Sequence, residues 1–482
     1  MITAPNKFPL QLFAAFSALL LGSLAAGIYL EQYLLFLLPA AALFAFVTLA
    51  DYPKIYYFLL LILPISFEFK LTRSLALNLP SEPIIIFLFL LLIVLWVKDK
   101  ALISFAFLKH PIILLLGLHL LWILVLQLYT VDHVVSIKFW LAKGWFVAVG
   151  IFLTAVLVRS REDFKKVFWC LYIPIIGSTL VILGRHAVTG FSFEEVNYTV
   201  MPIFRNHVNY AALLTLFLPW AWYARQWYPK GSSARNWITF GIVVLVAGTF
   251  FSYTRAAWVA LVGALGAYLL IRWYVLRWFT LVAFIASLAI IWHLGEDNRY
   301  LDYAPNYETT IYHSELGDHL EATVSLQDVS SAERVYRWVA AFHMFQEQPL
   351  TGYGPGNFYP HYKEHTVLSF RTYVSDNPEK STVHNYYLLM LVEQGIIGFI
   401  LFMLLVFVIL FTGENIYHAT KDKHDKQYVM ALVLSLVIVF IHILVSDLIE
   451  VDKIGVLFFM AMALLVNQSL KNRGLLEPAT QD

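Results

Sequence analysis

Charge is scarce in this chain. Only 13% of its 482 residues are Asp, Glu, Lys or Arg, against about 25% in an ordinary soluble domain. The formal net charge of +1 excludes the basic face that a nucleic-acid partner requires. The single cysteine, Cys170, lies in an apolar run and excludes an intrachain disulfide, so cysteine usage says nothing about redox compartment. Internal repeats and low-complexity tracts are absent. The glycine-rich run 352–356 lacks the lysine of a nucleotide-binding P-loop and follows a helical pattern rather than a strand.

Apolar residues fill the space. The chain is 60% hydrophobic and 16% aromatic, and runs of about 20 residues, enough to cross a hydrocarbon core of about 30 Å, recur along almost its whole length. Lipid offers backbone groups no hydrogen-bond partner, so each run must be helical. Fourteen segments read as spans: 10–28, 33–50, 55–71, 83–98, 111–128, 138–158, 165–184, 207–225, 235–252, 255–272, 276–294, 384–411, 427–446 and 452–468. The first, behind Lys7, reads as a retained span although Ser23, Ala25 and Ala26 imitate a signal-peptide cleavage site. The expected fold is an all-α polytopic integral membrane protein of about 12–14 transmembrane helices, with one large, partly helical loop. Residues 1–294 and 384–468 form its two helical blocks, 295–383 the loop, and 469–482 a tail whose polar residues after Asn472 read as disordered.

Lys and Arg in the connections set the orientation. With the N-terminus in the cytoplasm, the cytoplasmic segments hold nineteen Lys plus Arg and the other side holds fourteen, six of them in the long loop. That loop then faces outward. It carries thirteen acidic and six basic residues, so an anion there needs particular arginines rather than net charge. Ser330-Ser331-Ala332-Glu333 has capping-box spacing. After it, Val335, Trp338, Val339, Phe342 and Phe345 fall on one stripe and Arg334 and Arg337 on a neighbouring face, which predicts an amphipathic helix near 331–346, ending before Pro349. Gly352-Tyr353-Gly354-Pro355-Gly356 reads as a turn.

Four polar clusters occur where spans meet the outer surface. Arg205, His207 and Asn209 begin the eighth span; together they can hold phosphate or sugar hydroxyls, or simply anchor a helix end. Arg255, between two closely spaced spans, opposes the positive-inside bias and must face protein, water or an anion. Arg334 and Arg337 lie on the loop helix, as anion ligands or as solvated charge. His384 and Asn385 stand where the loop re-enters the membrane, and His384 is the best proton acceptor in the chain near pH 7. Glu393, nine residues on, points away from His384 in a continuous helix. His361 and His365 have metal-ligand spacing without a third ligand at a diagnostic distance.

The segments Arg334-Val335-Tyr336-Arg337-Trp338, Gln348 to Phe358, His384-Asn385-Tyr386-Tyr387-Leu388 and Glu393-Gln394-Gly395-Ile396-Ile397-Gly398 resemble the O-antigen ligase and polymerase superfamily of bacterial membrane glycosyltransferases. Phe204-Arg205-Asn206-His207 and Ser252-Tyr253-Thr254-Arg255 resemble its earlier motifs. The motif-bearing resemblance runs from about Phe204 to Gly398. It implies a multi-pass enzyme of the bacterial cytoplasmic membrane with a periplasmic active site. It implies an undecaprenyl-diphosphate-linked glycan as donor, lipid A core or another glycan as acceptor, membrane lipids as surroundings, and no cofactor or metal. By the same resemblance, His384, Arg255 and Arg334 are the catalytic residues; the polar clusters themselves offer Arg205, His207, Asn209, Arg337 and Asn385 as ligands of the diphosphate and sugar. A polymerase using the same donor is one alternative reading; a small-anion transporter is another, although the paired inverted repeats typical of transporters are not seen.

Overall fold

The computed structural model describes residues 7–32, 35–36, 38–70, 76–303, 329–367, 375, 377 and 381–476. Residues 304–328 of the long loop and the end of the tail from 477 lie outside the described residues. The chain is an all-α polytopic membrane protein. Its principal helices are α1 (Lys7–Tyr29), α2 (Leu38–Ala50), α3 (Tyr52–Ile62), α4 (Ser81–Lys98), α5 (Pro111–Val125), α6 (His133–Val147), α7 (Arg161–Val188), α8 (His207–Ala224), α9 (Ser233–Phe251), α10 (Arg255–Arg272), α11 (Leu276–Gly295), α12 (Val329–Glu347), α13 (Tyr386–Ala419), α14 (Lys423–His442) and α15 (Asp452–Asn472). Each of the fourteen expected spans overlaps a helix over at least part of its length. Among the described residues, ten helices are long and apolar enough to cross a membrane.

The third span ends earlier than its apolar run suggests. Pro64 sits in a 3₁₀ turn after α3, and Phe67–Lys70 then pairs antiparallel with Ala76–Leu79 as a small hairpin, Phe67 opposite Leu79. Apolar composition alone does not separate a short strand from the end of a helix.

Helix α15 is the centre of the bundle. All its residues from Asp452 to Leu470 are buried, as expected of a helix whose middle, 454–466, is apolar on every side. It packs on α14, α13 and the π-helical continuation of α6, Ala148–Leu153. The approach there is close: a Cβ on Gly150 would stand 2.9 Å from the Val456 carbonyl oxygen. Helices α8 and α10 pack on α14, α9 packs on α8, and α5 packs on α13. Along α11 the apolar side chains stay exposed, Trp278, Val282, Ile285 and Trp292 among them, which is the surface a lipid-facing helix presents.

Within the long loop, a helix and a glycine turn both pack on α13. Helix α12 buries Glu333, Tyr336, Arg337, Ala340, Ala341 and Met344, whereas Phe342 of the expected apolar stripe is exposed. The buried face is thus rotated from the expected one, because two alanines allow α12 to lie close against α13, with which it packs. The helix already includes Val329, one residue ahead of the Ser330 cap its spacing predicts; the Ser330 and Ser331 side chains lie outside the described residues.

The glycine turn, in addition to reversing the chain, docks into a break in α13. Gly395 has φ 66° and ψ −172°, so the helix is interrupted there. Into the gap, Tyr353 and Gly354 donate to the Val392 and Glu393 carbonyls at 2.9 Å each, and Ile396 donates to the Pro349 carbonyl at 2.8 Å. Side chains cannot enter: a Cβ on Gly395 would lie 2.1 Å from the Leu350 oxygen, and one on Gly352 2.3 Å from the Val392 oxygen.

Candidate active site

The polar clusters separated in sequence meet at one end of the bundle. The N-terminus of α8, the α9–α10 turn, the N-terminus of α13 and the α14–α15 connection all lie there, and α12 covers them. Antiparallel alternation of spans brings these ends together, and side-chain hydrogen bonds fix them. Thr254 Oγ1 donates to the His207 carbonyl at 3.3 Å, joining the α9–α10 turn to the start of α8. Asn206 caps α8 by accepting from the Asn209 N–H at 2.9 Å. Asn209 is consequently buried one turn into the helix.

His384 occupies a turn pinned from four sides. Its φ of +54° lies in the left-handed region, which a residue other than glycine adopts at a cost of about 1–3 kcal/mol unless its surroundings hold it there. Trp338 Nε1 donates to the Val383 carbonyl at 3.1 Å, and Arg337 Nη1 to the Thr382 carbonyl at 3.5 Å. Thr382 Oγ1 donates to Asp447 Oδ2 at 3.0 Å and accepts from the His384 N–H at 3.4 Å. One residue into α13, the Tyr386 N–H donates to the Ile443 carbonyl at 2.9 Å. Asn385 caps α13 through Oδ1, which accepts from the Leu388 N–H at 3.1 Å.

Arginines surround this histidine. Burial first, then the charges of Arg337, Arg334 and Arg205, push the His384 imidazole down to about 3. Arg334 also acts electrostatically on His207, as does Arg255, so it links the two histidine-bearing clusters. The four arginines differ in their commitments. Arg337 is buried and paired with Glu333, Nη2 to Oε2 at 3.3 Å, while Arg205 is exposed. Arg337 therefore holds α12 against the His384 turn, while Arg205 and Arg334 place positive charge near His384, and Arg334 and Arg255 place it near His207.

An acidic wall completes the site, and sequence reasoning missed it. Asp447 is half-buried, and burial raises its carboxyl, with the Glu450 charge adding to the rise and that of Arg205 opposing it. Glu450 Oε1 accepts from Lys143 Nζ at 2.6 Å and from Tyr386 Oη at 2.5 Å, and Lys143 also donates to Tyr386 Oη at 2.6 Å. The signal was present: Asp447, Glu450, Asp452 and Lys453 crowd a short connection between two apolar spans, where ionisable residues are rare unless buried against partners or used.

Other candidates lie elsewhere. Glu393 has a structural part: its carboxylate accepts from the Gly356 and Phe358 N–H groups at 2.8 and 3.0 Å and so holds the glycine turn. His365 meets Glu347 at 3.1 Å and, through Nδ1, the His361 carbonyl at 2.9 Å. Among the described residues no three His, Cys, Asp or Glu side chains are grouped to hold a metal ion.

Such an arrangement can bind a polyanion between guanidinium groups and keep a neutral imidazole beside it. Residues 240–403 match the family described as O-Antigen ligase. The match contains Arg255, Arg334, Arg337, His384 and the glycine turn, and leaves out Arg205, His207, Asp447 and Glu450. No curated protein matches the chain.

Proposed function

We propose, on the premise that this multi-pass membrane protein carries an O-antigen ligase domain and is a glycosyltransferase of that superfamily, that it moves a glycan from undecaprenyl diphosphate to an acceptor hydroxyl such as one on lipid A core. The observation that carries the reading is the convergence of Arg205, Arg334 and Arg337 on the half-buried His384, whose imidazole burial and these charges push down. The work is done at the outer face of the bacterial cytoplasmic membrane, the side to which the charge asymmetry of the connections assigns this end of the bundle.

The reaction needs two things from the protein. The acceptor oxygen attacks the anomeric carbon, the bond from that carbon to the diphosphate oxygen breaks, and its electron pair leaves with undecaprenyl diphosphate. Guanidinium groups bind phosphate oxygens in pairs of charge-assisted hydrogen bonds, so Arg255, Arg334 and Arg205 stabilise the growing negative charge without a metal. His384 takes the acceptor's proton, and a single displacement inverts the anomeric configuration. An imidazole held near 3 is a weak base. The bound diphosphate offsets the arginine charges, and so raises the basicity of His384 when the donor is in place. Donor binding and activation of the base are then one event.

Substitution of His384 tests the assignment. General-base help is worth about 10²- to 10⁴-fold in rate, so His384→Ala should lose transfer on that scale while still binding donor. His384→Gln should not restore it, since an amide cannot take the proton. Near-normal transfer by either variant, or a loss of donor binding equal to the loss of rate, removes His384 from this role.

A further inference from the structure

A second cationic site lies at the other end of the same helices. Helix α8 runs from the arginine–histidine site at His207 to Ala224, 18 residues, or about 27 Å at 1.5 Å per residue, close to the thickness of a bilayer core. Just past its end is a cavity of about 440 Å³ lined by Trp222, Arg225, Gln226, Arg235, Lys423, His424 and Gln427. That volume falls within the range of about 300–1,000 Å³ typical of small-molecule sites. Three of its seven lining residues are permanently cationic, a fourth is an imidazole, and none is acidic.

The carboxylates that flank Lys423 and His424 in sequence, Asp422 and Asp425, are engaged elsewhere. Asp425 accepts from Arg161 Nε and from Lys471 Nζ, both at 2.8 Å, and Asp422 pairs with Arg161. Arg225 is held rather than splayed into solvent, with its guanidinium 4.3 Å from the centroid of the Trp222 ring. Its Nε is buried and has no hydrogen-bond partner among the described residues. A buried guanidinium N–H with no partner costs free energy that an oxyanion would recover. Arg235 is braced across the mouth, Nη1 donating to the Tyr228 carbonyl at 3.1 Å. Basic residues that merely set orientation in the membrane need only be exposed, so this bracing and the buried Nε ask for something more.

We infer that this cavity binds the phosphate headgroup of an anionic membrane lipid. Phosphate is the chemistry that fits a held guanidinium flanked by an amine and an imidazole. A lipid is the fitting source because the cavity lies one bilayer thickness from the outer site, and Trp222 at its rim is 54% exposed, as aromatic residues at a membrane interface are. This site is independent of the transferase reading, and none of its residues takes part in the proposed catalysis.

The full chain, purified and reconstituted in nanodiscs, tests the inference. Binding of phosphatidylglycerol should exceed that of phosphatidylcholine, counted as lipids retained in native mass spectrometry. Each basic residue at an anionic surface is worth about 1 kcal/mol, roughly fivefold, so the double variant Arg225→Gln, Lys423→Gln should bind phosphatidylglycerol about 30-fold more weakly. Lys423→Glu, at an exposed first-turn position, provides a variant that leaves the fold intact and should also lose retained lipid. Glycan transfer by these variants should stay at the wild-type level. Equal retention of the two lipids, or undiminished phosphatidylglycerol binding by the variants, overturns the site. Displacement by inorganic phosphate at the same molar concentration as lipid overturns the lipid as its source.

Discussion

His384 combines three properties that rarely coincide in one residue: a left-handed backbone, a half-buried ring and arginine charge on several sides. Each has a consequence for measurement. Because burial and the arginines keep the free imidazole near 3, it is neutral throughout the physiological range, and its protonation limits kcat/KM only in strong acid. In the donor complex the diphosphate offsets the arginine share of that shift, so the protonated form appears at higher pH. The pH profile of kcat should therefore fall on the acid side at a higher pH than that of kcat/KM, since the first reports the complex and the second the free enzyme. Coincident acid limbs near 6.5, the ordinary histidine value, would contradict this. Among the arginines, Arg334→Lys and Arg255→Lys should each lose donor affinity or turnover about tenfold or more, because lysine keeps the charge but not the planar pair of donors. Wild-type affinity and turnover in both lysine variants would remove them from the diphosphate site. Arg337 belongs to a different class: its ion pair with Glu333 and its reach to the Thr382 carbonyl make it a positioning residue.

At the scale of elements, the decisive pieces are the break in α13 and the turn seated in it. Gly395 admits the 349–354 backbone, and no side chain fits between them. Gly395→Ala combines a forbidden φ with a clash, each worth about 1–3 kcal/mol. It should lower the thermal unfolding midpoint clearly and reduce transfer through the displaced His384 turn, which starts the same helix. An unchanged midpoint would mean that the break is not held as described. This is also where the sequence was hardest to read. The spans were legible because about 20 apolar residues in lipid have one stable conformation. Glu393, by contrast, was legible only as pointing away from His384. That its carboxylate would cap Gly356 and Phe358 depends on a contact between segments more than thirty residues apart. The rotated face of α12 has a similar cause: periodicity ranks side chains by hydrophobicity, whereas Ala340 and Ala341 were buried for their size. Asp447 and Glu450 stood in plain view in a short connection, and their meaning required knowing that Thr382, Tyr386 and Lys143 would meet them.

For the whole molecule, the alternation of spans gathers four polar clusters, spread over some 180 residues from Arg205 to Asn385, at one end of a bundle centred on α15. That end holds arginines, a neutral histidine and a loop helix covering them; the other end holds the separate basic cavity beside Trp222. A small-anion transporter would require its site to be reached from both faces in turn, whereas these groups are confined to one end. The direct test of the account is a reaction with purified protein, a defined undecaprenyl-diphosphate-linked glycan and candidate acceptors, in the presence of a chelator, with products identified by mass. The account predicts glycan joined to lipid A core with released undecaprenyl diphosphate, at a rate the chelator leaves unchanged. Longer glycan still attached to its carrier would identify a polymerase, and no transfer to any acceptor, or transfer restored only by a divalent ion, would contradict the account.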